Sequence, residues 1–306
     1  MPDSSAGRLS SVYNIIGRRK AFYLISGVFI LIGLISLAFR GLNLGIDFTS
    51  GTLIQMEFGR TVEISEIEEV LGSPEAEELG ISKFSVRLDS TRRIAMVRVN
   101  PISGAVQNSM MDLLSERLGP VTELSTDQVD PIVGQELVRK TVYALILASF
   151  GILVYVSLRF EPRFAVAGVL ALIHDVLVVL SVFSIFQVEI NSPFIAAILT
   201  VVGYSINATI IIFDRVRENL ARLKGEGNQE LANTSINQTL LRCVYTSLTT
   251  LFTALSLHIF GAASIRDLTL AFLIGIVAGT YSSICISGSI WVDWKEWSRR
   301  RALMAR

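Results

Sequence analysis

The strongest constraint on this chain is the recurrence of apolar stretches of about 20 residues, the length a helix needs to cross the hydrocarbon core of a bilayer. Six occur, near residues 21–39, 139–158, 164–186, 193–213, 243–260 and 268–291. Of the 306 residues 51% are hydrophobic and 18% charged, too apolar for one soluble domain and too diluted for membrane throughout, so a mixed membrane protein is expected. The first stretch outruns a signal h-region and meets Arg40 where a cleavage site would need small residues. It reads as a retained anchor.

Lys plus Arg and Asp plus Glu number 27 each. No net field therefore draws in nucleic acid, and only the positions of charges carry information. Cys243 and Cys285 both fall in apolar segments without metal-ligand spacing, which argues against a disulfide framework or a zinc site and for packing roles. No phosphate loop, nucleophile elbow or metal-spaced His and carboxylate is found, so no enzyme, metal or cofactor is expected.

Arg and Lys in short loops are held on the cytoplasmic side. One side collects Arg8, Arg18, Arg19 and Lys20, then Arg159 and Arg163, then Arg215, Arg217, Arg222 and Lys224, then Lys295, Arg299, Arg300 and Arg301, whereas the other offers Arg266. The expected organisation is a cytoplasmic segment 1–20, a first transmembrane helix 21–40, an extracytoplasmic domain 41–136, transmembrane helices 2–6 over 137–292 and a cytoplasmic tail 293–306. Trp291, Trp294 and Trp297 stand where an interfacial aromatic belt would place them, and His258 near the outer end of its span.

Between the first two spans, "TLIQMEF", "SKFSVRL", "RIAMVRV" and "VTELSTDQV" alternate with period two, while "EISEIEEVL" and "AVQNSMMDLLSERL" repeat with helical period. The order β-α-β-β-α-β is that of a ferredoxin-like α+β domain, with a hairpin turn over Asp89 to Arg92. Glu63, Glu66, Glu68, Glu69, Glu75, Glu77 and Glu78 cluster about the first helix; they form either a solvated face or a substrate-contacting patch.

Polar groups in hydrocarbon are costly unless they face other helices, a cavity or each other. In the fourth span Thr200, Gly203, Tyr204, Asn207, Ile211 and Asp214 recur at helical spacing, and that stripe is expected to face protein. The third span offers Ala167, Ala171, His174 and Asp175, the fifth Ser247, Thr250, Ala254 and His258, and the sixth the small-residue repeat Gly275, Gly279 and Ser283, which lets helix backbones approach. His174 beside Asp175 is either a proton-handling pair or a structural hydrogen-bonded one. Arg242, opening the fifth span, can snorkel to the interface. Asp214, Arg215, Arg217 and Glu218 belong to the cytoplasmic interface, either docking or solvated.

Several strings together resemble the SecF family of the bacterial SecDF export complex, relatives of the RND transporters: "GIDFTSGTLIQ", "VDPIVGQEL", "HDV", "GYSINATIIIFDRVREN", "TSLTTL" and "LIGIVAGTYSSI". The resemblance covers nearly the whole chain. It implies a six-helix RND-type bundle that pairs with SecD, docks to the SecYEG channel in the cytoplasmic membrane and uses the proton motive force to help draw unfolded polypeptide outward. Asp47, Gly51, Gly134 and Glu136 then lie in junction motifs flanking the outer domain. The family usually carries "GYSIND", so Ala208 stands where an aspartate is thought to work with an arginine matched here by Arg242. Ser50 and Asp130 replace glycines common in the family. Three readings follow: proton coupling supplied mainly by SecD, a structural subunit without coupling, or half of an RND-type small-molecule exporter.

Overall fold

In a computed structural model the chain is described over residues 13–49, 51–89, 91–129, 131–159, 161–222, 227–262 and 265–304. Arg8, Ser50, Asp130 and Lys224, and the side chain of Arg159, lie outside the described residues. The elements run α1 (Arg19–Arg40), β1 (Gly51–Phe58), α2 (Ile64–Leu71), β2 (Phe84–Leu88), β3 (Ile94–Val99), α3 (Gly104–Leu118), β4 (Val121–Val129), α4 (Pro131–Arg159), α5 (Pro162–Phe186), α6 (Ser192–Arg222), α7 (Asn228–Phe260), α8 (Arg266–Tyr281) and α9 (Gly288–Met304), with shorter pieces left unlabelled. The fold divides into two units, Leu44–Tyr143 and Met1–Asn43 with Ala144–Arg306.

In the first unit the four antiparallel strands stand in the order β2-β3-β1-β4. Glu57 pairs Ile94 on one side of β1, and Gly51 pairs Val129 on the other. Alternation sends Ile54, Met56, Phe58, Val86, Ala95, Val97 and Val99 to one face, where they bury against Ile67, Val70 and Leu71 of α2 and Met110, Leu114 and Leu118 of α3. Two helices on one face are what the alternation of period-two and helical segments anticipates. α2 starts in a capping box in which Glu63 and Glu66 each accept from the other's backbone N–H. Glu66 also pairs with Arg60 at 2.8 Å, and Glu75 with Arg117 at 2.7 Å.

In the hairpin turn Asp89 accepts from the Thr91 backbone N–H at 3.1 Å, the Thr91 hydroxyl at 2.7 Å and the Ile94 N–H at 3.3 Å. Partial burial opposes ionisation of Asp89, but these bonds and one from Arg93 outweigh it and hold the carboxyl below its ordinary value.

In the second unit, helical stretches long and apolar enough to cross a membrane, among the described residues, are Ile16–Arg40, Pro162–Phe186, Ser192–Arg222, Asn228–Phe260 and Arg266–Arg301. α4 is a 29-residue helix over the second expected span. The expected limits at 136/137 and 292/293 both fall inside helices, α4 and α9, because neither place carries a helix-breaking residue. α6 and α7 extend beyond their apolar spans, and their polar extensions are tied together: the Asn219 side-chain amide donates to Ser235 at 2.8 Å and to Gln238 at 2.9 Å.

One expectation is corrected here. Trp291 is not part of an interfacial belt: it is fully buried and stacked on Phe164, with ring centroids 5.2 Å apart. Its large ring fills a core that Ile16, Phe213 and Val216 also share, which outweighs any interfacial preference. His258, near the end of its helix, is half-buried, its Nδ1 2.8 Å from the Thr269 hydroxyl.

Close backbone approach sets the helix packing. A Cβ on Gly33 would meet Ser181 at 1.9 Å, one on Gly275 would meet Val201 at 2.2 Å, and one on Gly279 would meet Ser205 at 2.8 Å. These glycines press α1 onto α5 and α8 onto α6. Gly203, expected to serve packing too, is exposed with nothing within 4 Å of such a Cβ; it sits on the face of α6 turned away from this chain.

Two predictions follow from the packing and the turn. Gly275→Leu overpacks α8 against α6 and should destabilise the chain by ~1–3 kcal/mol, whereas Gly203→Leu should stay within about 0.5 kcal/mol; thermal unfolding in detergent compares them. Because Asp89 ionises more readily folded than unfolded, its turn stabilises the Leu44–Tyr143 unit above the ordinary aspartate range near pH 4 and weakens as pH falls through the lowered value. Asp89→Asn should flatten that acid dependence, read from hydrogen exchange at the Ile94 amide.

Candidate functional site

His174 and Asp175 sit mid-way along α5, and their successive positions point them about 100° apart. The Asp175 side chain is 1% exposed and that of His174 10%. A buried carboxylate is tolerated only when its oxygens are satisfied. Asp175 Oδ1 lies 3.0 Å from His174 Nδ1, while Oδ2 accepts from the Ser205 hydroxyl of α6 at 2.6 Å and from Ser282 at 2.9 Å. His174 Nε2 lies 3.0 Å from the Ser26 hydroxyl of α1. Ser26 is in turn 3.2 Å from the Tyr281 hydroxyl, which donates to the Phe22 carbonyl at 3.0 Å. One carboxylate thus gathers side chains from three other segments.

Ser282 opens a π-helical segment, Ser282–Ser287, joining α8 to α9. The wider turn is a feature common at functional sites. Ser283 follows, its hydroxyl 2.8 Å from that of Thr209 and donating to the Ser205 carbonyl at 3.3 Å. An apolar cavity of about 530 Å³, lined in part by Ile25, Phe29, Val178 and Tyr281, borders the imidazole.

The polar stripe of α6 is turned away from the rest of this chain. Thr200, Gly203, Asn207 and Asp214 are exposed, while Tyr204 and Ile211 are half-buried, Tyr204 lying edge-on to Phe272 at 6.4 Å. The face turned into this chain carries Val201, Ser205, Ala208, Thr209, Ile212 and Val216. That orientation has a physical reason: Ser205 and Thr209 find buried partners on α5 and the π segment, and Gly275 and Gly279 of α8 admit only that face. On α7, Arg242 is exposed. Thr246, Thr249 and Thr253 beside it bond back to carbonyls of their own helix, at 2.7 to 3.0 Å. Among the described residues, neither the Asn207 amide nor the Arg242 guanidinium has a hydrogen-bond or ion-pair partner.

Further along α6, Arg217 pairs with Asp214 at 3.1 Å and Glu218 with Arg215 and Arg222 at 2.5 and 3.0 Å. These charges are mutually satisfied on the exposed side of the helix. Of the junction residues, Asp47 lies in the first turn of Ile46–Thr49 and Gly134 within α4. Glu136 meets Lys140 at 3.0 Å, and that hydrogen bond holds its carboxyl below the ordinary range. Gly51 has φ +144°, and a Cβ there would meet the Val99 carbonyl at 2.7 Å, so a side chain would be both strained and crowded.

Sequence reading singled out His174 and Asp175 but not Ser26, Tyr281 and Ser282 as their partners. Isolated serines in apolar spans were the available signal, though it does not say which serine meets which carboxylate.

Residues 111–297 match the family described as protein export membrane protein SecD/SecF, C-terminal, and residues 35–62 match the SecD/SecF GG motif. The protein translocase subunit SecF of Alicyclobacillus acidocaldarius is 39% identical over 298 residues, covering 95% of each chain. That of Calditerrivibrio nitroreducens is 38% identical, covering 90% of this chain and 91% of its own. The subunit SecDF of Bacillus subtilis is 36% identical over 92% of this chain, which spans 38% of that longer protein. The crystal structure of SecDF from Thermus superposes with a TM-score of 0.84 at 36% identity, covering 93% of this chain and 39% of the SecDF chain. On this sequence and structural likeness, the chain belongs to the SecF branch of the SecD/SecF family of protein-export membrane proteins.

Proposed function

We propose that the chain is an accessory subunit of the Sec protein translocase, working beside a SecD partner to draw polypeptide across the cytoplasmic membrane with the proton motive force. In this reading six helices cross the bilayer, both termini and the Arg-rich connections are cytoplasmic, and the ferredoxin-like unit stands outside, where it meets emerging substrate. The SecYEG channel is the docking partner.

One observation carries the proposal: Asn207 and Arg242 are exposed on helices of membrane-spanning length and have no partner among the described residues. In lipid such groups cost free energy that a neighbouring protein surface removes. The relatives in which this chain spans 38 to 39% of a longer SecDF protein are consistent with a companion of that kind. A carboxylate of the companion facing Arg242 would form a charge pair that protonation dissolves, biasing two helix arrangements. Ala208, which carries no titrating group, leaves that acid to the companion.

The test is gradient-dependent export in membrane vesicles, with copurification as the check on assembly. Arg242→Gln should leave the complex assembled and lower gradient-dependent export roughly tenfold, equivalent to about 1.4 kcal/mol. Export at the wild-type rate would return Arg242 to a side chain that merely reaches the interface. Ala208→Asp distinguishes the second reading, a structural subunit without coupling: a large gain in gradient dependence would mean that coupling is absent as the chain stands.

A further inference from the structure

We infer that the chain running from Asp175 through His174 and Ser26 to Tyr281 is a proton-binding site of this subunit, built to hold one exchangeable proton. The functional consequence rests on the coupling reading above; the site itself rests on a count of hydrogens. Four contacts lie in series: Asp175 Oδ1 to His174 Nδ1 at 3.0 Å, His174 Nε2 to Ser26 Oγ at 3.0 Å, Ser26 Oγ to Tyr281 Oη at 3.2 Å, and Tyr281 Oη to the Phe22 carbonyl at 3.0 Å. Each needs one hydrogen. With Asp175 ionised and His174 neutral, the series owns three: one each on the imidazole, the serine and the tyrosine.

The Phe22 carbonyl cannot donate, so its contact with Tyr281 takes the tyrosine hydrogen in the arrangement observed. If the imidazole hydrogen is on Nδ1, Ser26 donates to Nε2, and two oxygen lone pairs face each other between Ser26 and Tyr281. If it is on Nε2, Ser26 donates to Tyr281, and a nitrogen lone pair faces the carboxylate. In either tautomer three hydrogens serve four contacts, so one contact is short of a hydrogen. A proton arriving on Nε2 of the first form, with rotation of the Ser26 hydroxyl toward Tyr281, completes all four contacts. No covalent bond other than the new N–H changes. The imidazolium and Asp175 then form a pair of zero net charge, and release of the proton reverses the steps.

The surroundings support an isolated unit. On α6 the hydroxyl of Ser205 meets Asp175, and that of Thr209 is engaged by Ser283. Among the described residues, the Cys285 thiol of the π segment lies near Tyr281, and Tyr23 of α1 has its hydroxyl engaged by Asp293 of α9 at 3.0 Å. Asp293 is balanced by Arg19 at 2.8 Å. α7 brings apolar Leu251 to the cavity beside the imidazole. Among the described residues no lysine or arginine is hydrogen-bonded to Asp175.

The chain has two histidines, so ¹⁵N-imidazole labelling of the full chain carrying His258→Gln, in lipid nanodiscs, isolates the His174 signals. Across about pH 5 to 9 both ring nitrogens should pass from a one-proton to a two-proton form. Asp175→Asn and Ser26→Ala should each change the ratio of the two forms at a given pH about tenfold or more; the small Ser26 change keeps the test open if the aspartate variant does not fold. A single protonation form throughout the range overturns the site, as does a midpoint indifferent to Ser26→Ala in folded protein. Titration of His174 in a chain whose export ignores the gradient would uphold the site while removing the coupling reading. Gradient-dependent export with a non-titrating His174 would do the opposite.

Discussion

The buried carboxylate of Asp175 organises the helical unit. In an apolar interior a carboxylate must be met by donors: Ser205 of α6 and Ser282 of the π-helical segment donate to it, and His174 of its own helix lies against it and reaches on to Ser26 of α1. Each partner reaches only if its helix comes close. The glycines at 33, 275 and 279 admit that approach, with Ser181, Val201 and Ser205 seated where a Cβ would otherwise stand. Polar satisfaction and close packing are therefore one arrangement, since neither the hydrogen bonds nor the backbone contacts would form without the other.

The same logic divides the remaining polar groups of the membrane-length helices into two sets. Hydroxyls on α7 turn back to their own carbonyls, and Thr209 and Ser283 meet each other, so they make no demand on the surroundings. Asn207 and Arg242 have no such internal solution among the described residues. A side chain that a helix can satisfy by itself is compatible with lipid or protein alike; one that it cannot satisfy directs the helix toward a further surface. That distinction, rather than polarity as such, separates structural from interaction-bearing positions here.

Much of the architecture was legible in advance. The four strands and two helices of the Leu44–Tyr143 unit lie within one or two residues of the segments read from periodicity, because side-chain alternation and helical repeat act over a few residues and require no knowledge of neighbours. His174 with Asp175 was legible for a similar reason: a charged residue inside an apolar span demands an explanation wherever it falls. Trp291 was misplaced because aromatic identity near a span end suits either an interface or a core, and Phe164 decides between them. The face of α6 that packs within this chain lies roughly one residue, about 100°, from the polar stripe read in the sequence. Two polar stripes run along that helix, and sequence spacing ranks neither above the other.

What the sequence by itself determined is therefore the set of local commitments: which stretches are long and apolar enough to cross a bilayer, which alternate as strands, and which ionisable groups lie among apolar residues. Their physical basis is period, length and the cost of polarity, all properties of a chain segment alone. Tertiary structure alone decided that Asp175 meets Ser205 and Ser282, that Ser26 and Tyr281 extend the series from His174, and that Asn207 and Arg242 turn outward. Those outcomes depend on distances between helices and on their rotations about their own axes. Such quantities are set by the joint packing of residues far apart in the chain, and no short stretch contains them.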